Sequence, residues 1–202
     1  MADIVTYCRI TNDRCFVDGK PIIEIEGPSN VEVASQLYKQ LSLSYPKFHK
    51  MDLLAKCAFL GVEILKEQVP SLAKMGEDEI ALLFANSESS EYSDILFEKS
   101  YVEAGNPSPS QFVYTLPNIM MGEIAIRNKW YGENMFLLMP EFNAEELVLE
   151  SKILLAKSHK ACIIGWVNVT GNKLDVFFTL LEDNKGGNED LTPSTLTQLY
   201  NK

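Results

Sequence analysis

The sequence contains no apolar run near the roughly 20 residues needed to cross a bilayer, so no membrane span is expected. Its first residues, MADIVTYCRITNDR, lack the basic stretch and apolar core of a secretory signal, and a cytoplasmic setting is expected. Cations are in deficit: 18 Lys and Arg against 28 Asp and Glu leave a net charge of −10. That balance argues against nucleic acid, which needs a cationic footprint, and against a broad face for anionic lipid. The four cysteines, Cys8, Cys15, Cys57 and Cys162, form no CxxC pair, and neither His49 nor His159 stands at ligand spacing from a Cys. No metal site and no cofactor are therefore read, and reduced thiols are expected. Asn168-Val169-Thr170 matches a glycosylation sequon, which without export is taken as chance.

What is present suits one compact core. A chain of 202 residues with 46% hydrophobic and 23% charged residues is ordinary for a globular protein. β-Branched residues from Ile4 to Thr11 predict a strand. Asp18-Gly19 predicts a turn, and Pro21 to Glu26 its returning partner. Ser29 with Glu32 forms a capping box that opens a helix from Asn30 to about Leu41. From Met51 to Glu67, Leu53, Cys57, Leu60, Gly61 and Ile64 fall at helical period. Ile80 to Ala85 reads as a buried parallel strand, followed by a helix capped within Ser87 to Ser90. A helix near Leu116-Pro117-Asn118 leads through a Gly-containing loop to a buried strand ending near Met139. Asn143 with Glu146 opens a helix to Ser158, its stripe Ala144, Leu147, Val148, Ser151, Leu154 and Leu155. Ala161 to Val169 and Leu174 to Leu181 are strands joined by the turn Thr170 to Lys173. Residues 1–182 are expected as the domain. Residues 183–202 are expected as an acidic, mobile tail with a short helix from Thr192-Pro193 to about Tyr200. Alternating buried strands and amphipathic helices predict α/β, a mixed, mostly parallel sheet covered by helices.

Several segments stand in an order that resembles a known family. They are KMDLLAKCAFLGVEIL from Lys50 to Leu65 and IALLFANSESS from Ile80 to Ser90. Then come Ser108-Pro109 to Phe112, Thr115-Leu116-Pro117-Asn118, Gly122 to Ile126, and Gly132-Glu133-Asn134. Each is weak alone. Their order and spacing resemble the N-terminal half of a β-ketoacyl synthase, the condensing enzyme of fatty-acid and polyketide assembly, and imply one half of a thiolase-like fold. The resemblance covers about 50–181.

The resemblance also implies a cysteine nucleophile. Thioester formation needs a thiolate, activated at a helix N-terminus. Here that stretch reads Met139-Pro140-Glu141-Phe142-Asn143, with no Cys. The family's two histidines belong to a second half, and neither His49 nor His159 sits in such a motif. The leading expectation is a non-catalytic pseudoenzyme, a chain-length-factor-like partner that pairs with itself or with a ketosynthase. The resemblance makes Asn134 to Leu138 the contact strand. A second reading is an acyltransferase or decarboxylase of the 3-oxoacyl-acyl-carrier-protein synthase type using Glu141 or a distal cysteine. A third is an acyl-chain or carrier-protein binding module. An acidic carrier would need Lys47, Lys50 and Lys56, or Lys152, Lys157 and Lys160, as a basic patch, although both groups also read as solvated faces.

Among single residues, Glu141 is the candidate site residue, with helix-start electrostatics as its plainer role. Cys57 and Cys162 read as buried apolar groups. Cys8 and Cys15, near the first hairpin, are alternatives for a reactive thiol. Met120, Met121, Met135 and Met139 read as core or interface, with an acyl pocket as the alternative. Asp175 and Thr179 read as the solvent side of an edge strand or a subunit contact.

Overall fold

The computed structural model of the chain describes residues 2–25, 27, 29–103, 105–157, 159–183 and 189–202. Its strands are β1 (Ala2–Ile10), β2 (Arg14–Val17), β3 (Lys20–Glu24), β4 (Ile80–Asn86), β5 (Asn134–Leu138), β6 (Ala161–Val169), β7 (Leu174–Asp183) and β8 (Glu189–Asp190). Its helices are α1 (Asn30–Gln40), α2 (Leu53–Gln68), α3 (Glu91–Val102), α4 (Pro109–Phe112), α5 (Ile119–Asn128), α6 (Ala144–Ala156) and α7 (Pro193–Tyr200). The strands make one sheet in the order β3-β2-β1-β7-β6-β4-β5, with β8 added to β1. This is the mixed α/β sheet flanked by helices that the sequence predicts. Among the described residues parallel pairing is confined to β5-β4-β6, and every other pairing is antiparallel, so the sheet is less parallel than expected. The reason is local. Tight connections between β1 and β2, β2 and β3, and β6 and β7 return the chain antiparallel, whereas only the helical crossovers yield parallel neighbours.

Alternation across the strands makes two apolar layers. Ile163, Val167, Val176 and Phe178 face one layer, which α1, α2 and α5 cover. Ile164, Trp166, Phe177 and Leu181 face the other, which α6 and α7 cover. β4, flanked on both sides by parallel strands, is buried along its whole length. That accounts for its continuous apolar sequence. α2 is buried on most of its circumference, since it lies centrally over the sheet. Gly61 of α2 and Gly165 of β6 are small because Phe178 lies between them. An added Cβ would stand 2.2 Å from Phe178 Cδ2 at Gly61 and 2.5 Å from its Cε1 at Gly165.

Caps follow the sequence closely. Ser29 Oγ accepts the Glu32 N–H and donates to the Glu32 carboxylate. Asn143 Oδ1 accepts from the N–H groups of Glu145 and Glu146. The predicted stripe of α6 is its buried face, residue for residue.

Four expectations are corrected. The strand ending near Met139, expected to be buried, is the edge strand β5, with Asn134 and Leu138 exposed and the residues between them half-buried, because among the described residues no strand pairs its outer side. The first hairpin does not pair β1 with β3. The unforeseen strand β2 lies between them, and the Asp18-Gly19 turn, both residues at positive φ, joins β2 to β3. The predicted mobile tail lies partly outside the described residues, at 184–188. Beyond it, β8 pairs with β1 and α7 is docked, with Leu196 and Leu199 buried in the second layer. Finally, β7 is an interior strand, paired on both sides. Asp175 and Thr179 are buried and not solvent-facing, because α7 packs on that side of the sheet. Thr179 Oγ1 donates to the Thr6 carbonyl, while Asp175 anchors the network described next.

Candidate functional site

In open α/β sheets, ligand sites form beyond the carboxyl ends of parallel strands, where loops diverge. Here those ends are Asn86 of β4, Leu138 of β5 and Val169 of β6. Asn86 organises the first. Its Nδ2 donates to the Ser89 carbonyl and its Oδ1 accepts the Ser89 N–H, which holds Ser89 at φ 51°. Beside it, Asn168 donates from Nδ2 to Ser87 Oγ at 2.8 Å, and its Oδ1 is buried with no partner among the described residues. This buried amide cannot carry a glycan without unfolding, which agrees with reading its sequon as chance. The Asn86–Ser87–Asn168 cluster escaped sequence reasoning, because short polar residues at strand ends look like ordinary boundaries.

The loop after β5 comes next. Met139 is buried, and its N–H donates to the Asn86 carbonyl. Glu141 is exposed to solvent in an open cleft of about 800 Å³ between the starts of α6 and α7. The N-terminus of α6, where the resemblance places an activated thiolate, is already occupied by the Asn143 side chain and has Glu145 and Glu146 in its first turn. Phe142 turns inward. Its ring stacks on Tyr200 of α7 at 3.9 Å and 5°, and meets Trp166 and Phe177 edge-on at 5.9 and 5.8 Å.

Asp175 lies beneath this aromatic group. Its Oδ1 accepts from Arg9 at 3.0 Å, and its Oδ2 accepts from the Tyr200 hydroxyl at 2.7 Å and from Trp166 Nε1 at 3.2 Å. Arg9 also donates to the Tyr200 carbonyl and lies 4.5 Å from the centre of that ring. Burial, then the bond to Asp175 and its negative charge, push the Tyr200 hydroxyl up to about 12. One carboxylate thus ties β1, β6, β7 and α7 together. The helix thereby packs Tyr200 on Phe142, in the loop where the resemblance places a nucleophile, while Glu141 beside it stays exposed. Neither Phe142 nor Tyr200 was singled out from sequence, since aromatic residues in a loop and at a chain end carry no periodic signal.

The described thiols offer no substitute nucleophile. All four are free and buried. Burial raises Cys15 and Cys162 to about 12 and carries Cys8 and Cys57 upward as well. The alternative of reactive Cys8 or Cys15 is thereby corrected: the sheet's first apolar layer encloses both. His49 is exposed, whereas His159 is buried. His159 Nε2 accepts the Glu133 N–H at 3.2 Å, so Nδ1 carries the proton toward the Leu154 carbonyl at 2.9 Å. Both ring nitrogens are thus engaged by backbone groups.

Of the six lysines in the two candidate basic patches, three are paired within the chain. Lys47 lies 2.7 Å from buried Glu123, Lys157 lies 3.1 Å from Glu133, and Lys160 pairs with Glu79. A second polar site surrounds the start of α2. Asp52 caps that helix through the Ala55 N–H and accepts from Ser93 Oγ at 2.5 Å. Burial raises its carboxyl above the usual range, and burial with the Glu123 charge does the same to the Tyr114 hydroxyl. The Ser93 bond fixes α3 to the start of α2, and the Tyr114 hydroxyl, donating to Glu123, fixes the 113–115 turn to α5. Among the described residues no helix is long and apolar enough to cross a membrane.

No protein-family model and no curated protein matches the sequence. Solved structures do match in fold. A chain of the complex between the ketosynthase ApeO and its chain length factor ApeC from Xenorhabdus doucetiae aligns with a TM-score of 0.61 at 12% identity, over 99% of this chain and 90% of that one. The ishigamide ketosynthase/chain length factor aligns at 0.66 and 13% identity, over 93% of this chain and 63% of that chain. A type II polyketide synthase assembly, AntDE:AntF, in which an acyl-carrier protein is in complex with its ketosynthase bound to the hexaketide, aligns at 0.60 and 9% identity, over 91% and 62%. At these identities the shared property is the fold, that of ketosynthases and chain length factors. The chain spans under two thirds of the second and third structures' chains.

Proposed function

We propose that the chain is a non-catalytic, chain-length-factor-like partner of a ketosynthase, acting in the cytoplasm in fatty-acid or polyketide-type assembly. The observation that carries this reading is the loop after β5. Where a condensing enzyme of this fold would need a thiolate, the loop presents Pro140, a solvent-exposed Glu141 and a Phe142 held by Tyr200, Trp166 and Phe177. A water-exposed carboxylate cannot hold a stable acyl thioester, so the acyltransferase and decarboxylase alternatives have less support. Pairing of Lys47, Lys157 and Lys160 within the chain likewise weakens the carrier-docking alternative.

Support for a partner comes from the strand that leads into this loop. β5 is an edge strand, and among the described residues no strand pairs its outer side. Leu138, at the end of this strand, is 63% exposed. An unpaired strand edge is a ready template for another chain. The contact strand would be Asn134 to Leu138, in a heterodimer with a ketosynthase, with a homodimer as the alternative. Co-expression with each ketosynthase-type protein of the same genome, followed by mass measurement in solution, tests the reading. A stable complex with one of them is expected. A chain that joins none of them and stays a folded monomer on dilution would overturn it.

A further inference from the structure

α3 is a helix with almost no buried face. Of its twelve residues only Ser93 is buried, and α4 buries none. Isolated helices of this length are marginal in water, and a helix draws most of its stability from an apolar face in contact. Along one side of α3, Glu91, Asp94, Ile95, Glu98 and Tyr101 recur at intervals of three and four, so they share a face. That face and α4 enclose a groove of about 460 Å³. Its floor is aromatic: Phe97 meets Tyr101 at 5.6 Å and Phe112 at 5.3 Å, both tilted. Its rim is anionic, and among the described residues no Lys or Arg forms an ion pair with Glu91, Asp94 or Glu98. Lys99 belongs to α3 but does not line the groove.

An apolar floor with an unneutralised acidic rim has a definite complement. Large apolar side chains fill the floor, and Lys or Arg on the same element meet the carboxylates and aromatic faces together. A second copy of this chain is the wrong complement. A two-fold contact would set the same patch against itself, carboxylate facing carboxylate, between two chains each of net charge −10.

We propose that the α3–α4 groove docks a helix of a different protein that carries Lys or Arg beside large apolar residues, and that Glu91, Asp94 and Glu98 bar self-association through the same face. The inference rests on the partner reading above and specifies the chemistry of the partner's contacting surface.

The test uses the full chain and two synthetic amphipathic helical peptides, one of Arg and Leu and one with Glu at every Arg position. Amide chemical shifts report where each binds. The Arg peptide is expected to shift residues of α3 and α4, with affinity that falls as salt rises. The Glu peptide is expected to leave them unmoved. The triple variant Glu91→Gln, Asp94→Asn, Glu98→Gln should weaken Arg-peptide binding about tenfold. Phe112→Ser, at an exposed position, should weaken it while leaving the fold intact. The proposal is overturned if the Arg peptide perturbs other elements, if both peptides bind alike, or if neither variant changes affinity. Such a result would leave co-assembly with a ketosynthase standing, because that measurement makes no reference to this groove.

Discussion

Replacing Asp175 with Ala should be among the most damaging single changes to this protein. The carboxylate accepts three hydrogen bonds, from Arg9, Tyr200 and Trp166, and its side chain is 10% exposed against 20% for Arg9. Its loss strands a guanidinium, a phenol and an indole N–H at once. Breaking a buried pair by removing one partner costs about 3–5 kcal/mol. The residual exposure of Arg9 admits water and places the effect near about 3 kcal/mol. For a chain of this length each kcal/mol moves the melting temperature by about 2–4 °C, so a fall of about 6–12 °C is expected. Asp175→Asn keeps an acceptor oxygen for Tyr200 and should lose about half as much. Thermal melts followed by circular dichroism, with tryptophan fluorescence to report on Trp166, decide the matter. An Asp175→Ala protein that melts with wild type would refute the claim that this carboxylate joins α7 to the sheet.

Other outcomes follow from the same geometry. The folded protein should react with a thiol reagent at no cysteine at neutral pH and at all four once denatured, because each thiol is buried. A rapid native reaction would contradict the burial. Tyr200 should titrate near pH 12 in the folded chain against 10.0 unperturbed, so its contribution to stability is whole below pH 10 and is lost between 10 and 12. Tyrosinate absorbance compared between wild type and Tyr200→Phe would show it, and identical titration curves would count against it. Leu138→Lys sets a cation at an exposed edge position, so the chain alone should melt as wild type while its complex with a ketosynthase is lost. A complex of unchanged affinity would remove β5 from the interface.

Much of the scaffold could be read from periodic and capping signals. Ser29 with Glu32, the stripe of α6, and the unbroken apolar run of β4 each express a local rule strong enough to survive tertiary context. The failures share another cause. Asp175 looked solvent-facing because alternation along a strand shows which residues share a side, not whether a helix covers that side, and α7 does. The end of the chain looked mobile because its polar composition hides the two-residue pairing of β8, and because the short helix read there from Thr192-Pro193 finds the core, through Leu196 and Leu199, only in three dimensions. β2, four residues long, was too short to alternate visibly. At the site, the missing cysteine was plain in the sequence. The stacking of Phe142 on Tyr200 beside it was not, since those rings lie 58 positions apart in sequence.

The proposed function turns on this chain carrying no acyl-accepting nucleophile. Its most direct test is the intact mass of the chain after incubation with acyl-loaded carrier protein and with a small acyl thioester. The account predicts an unchanged mass over the course of the incubation. A stoichiometric acyl adduct, abolished by replacing one cysteine with Ser or by Glu141→Gln, would contradict it.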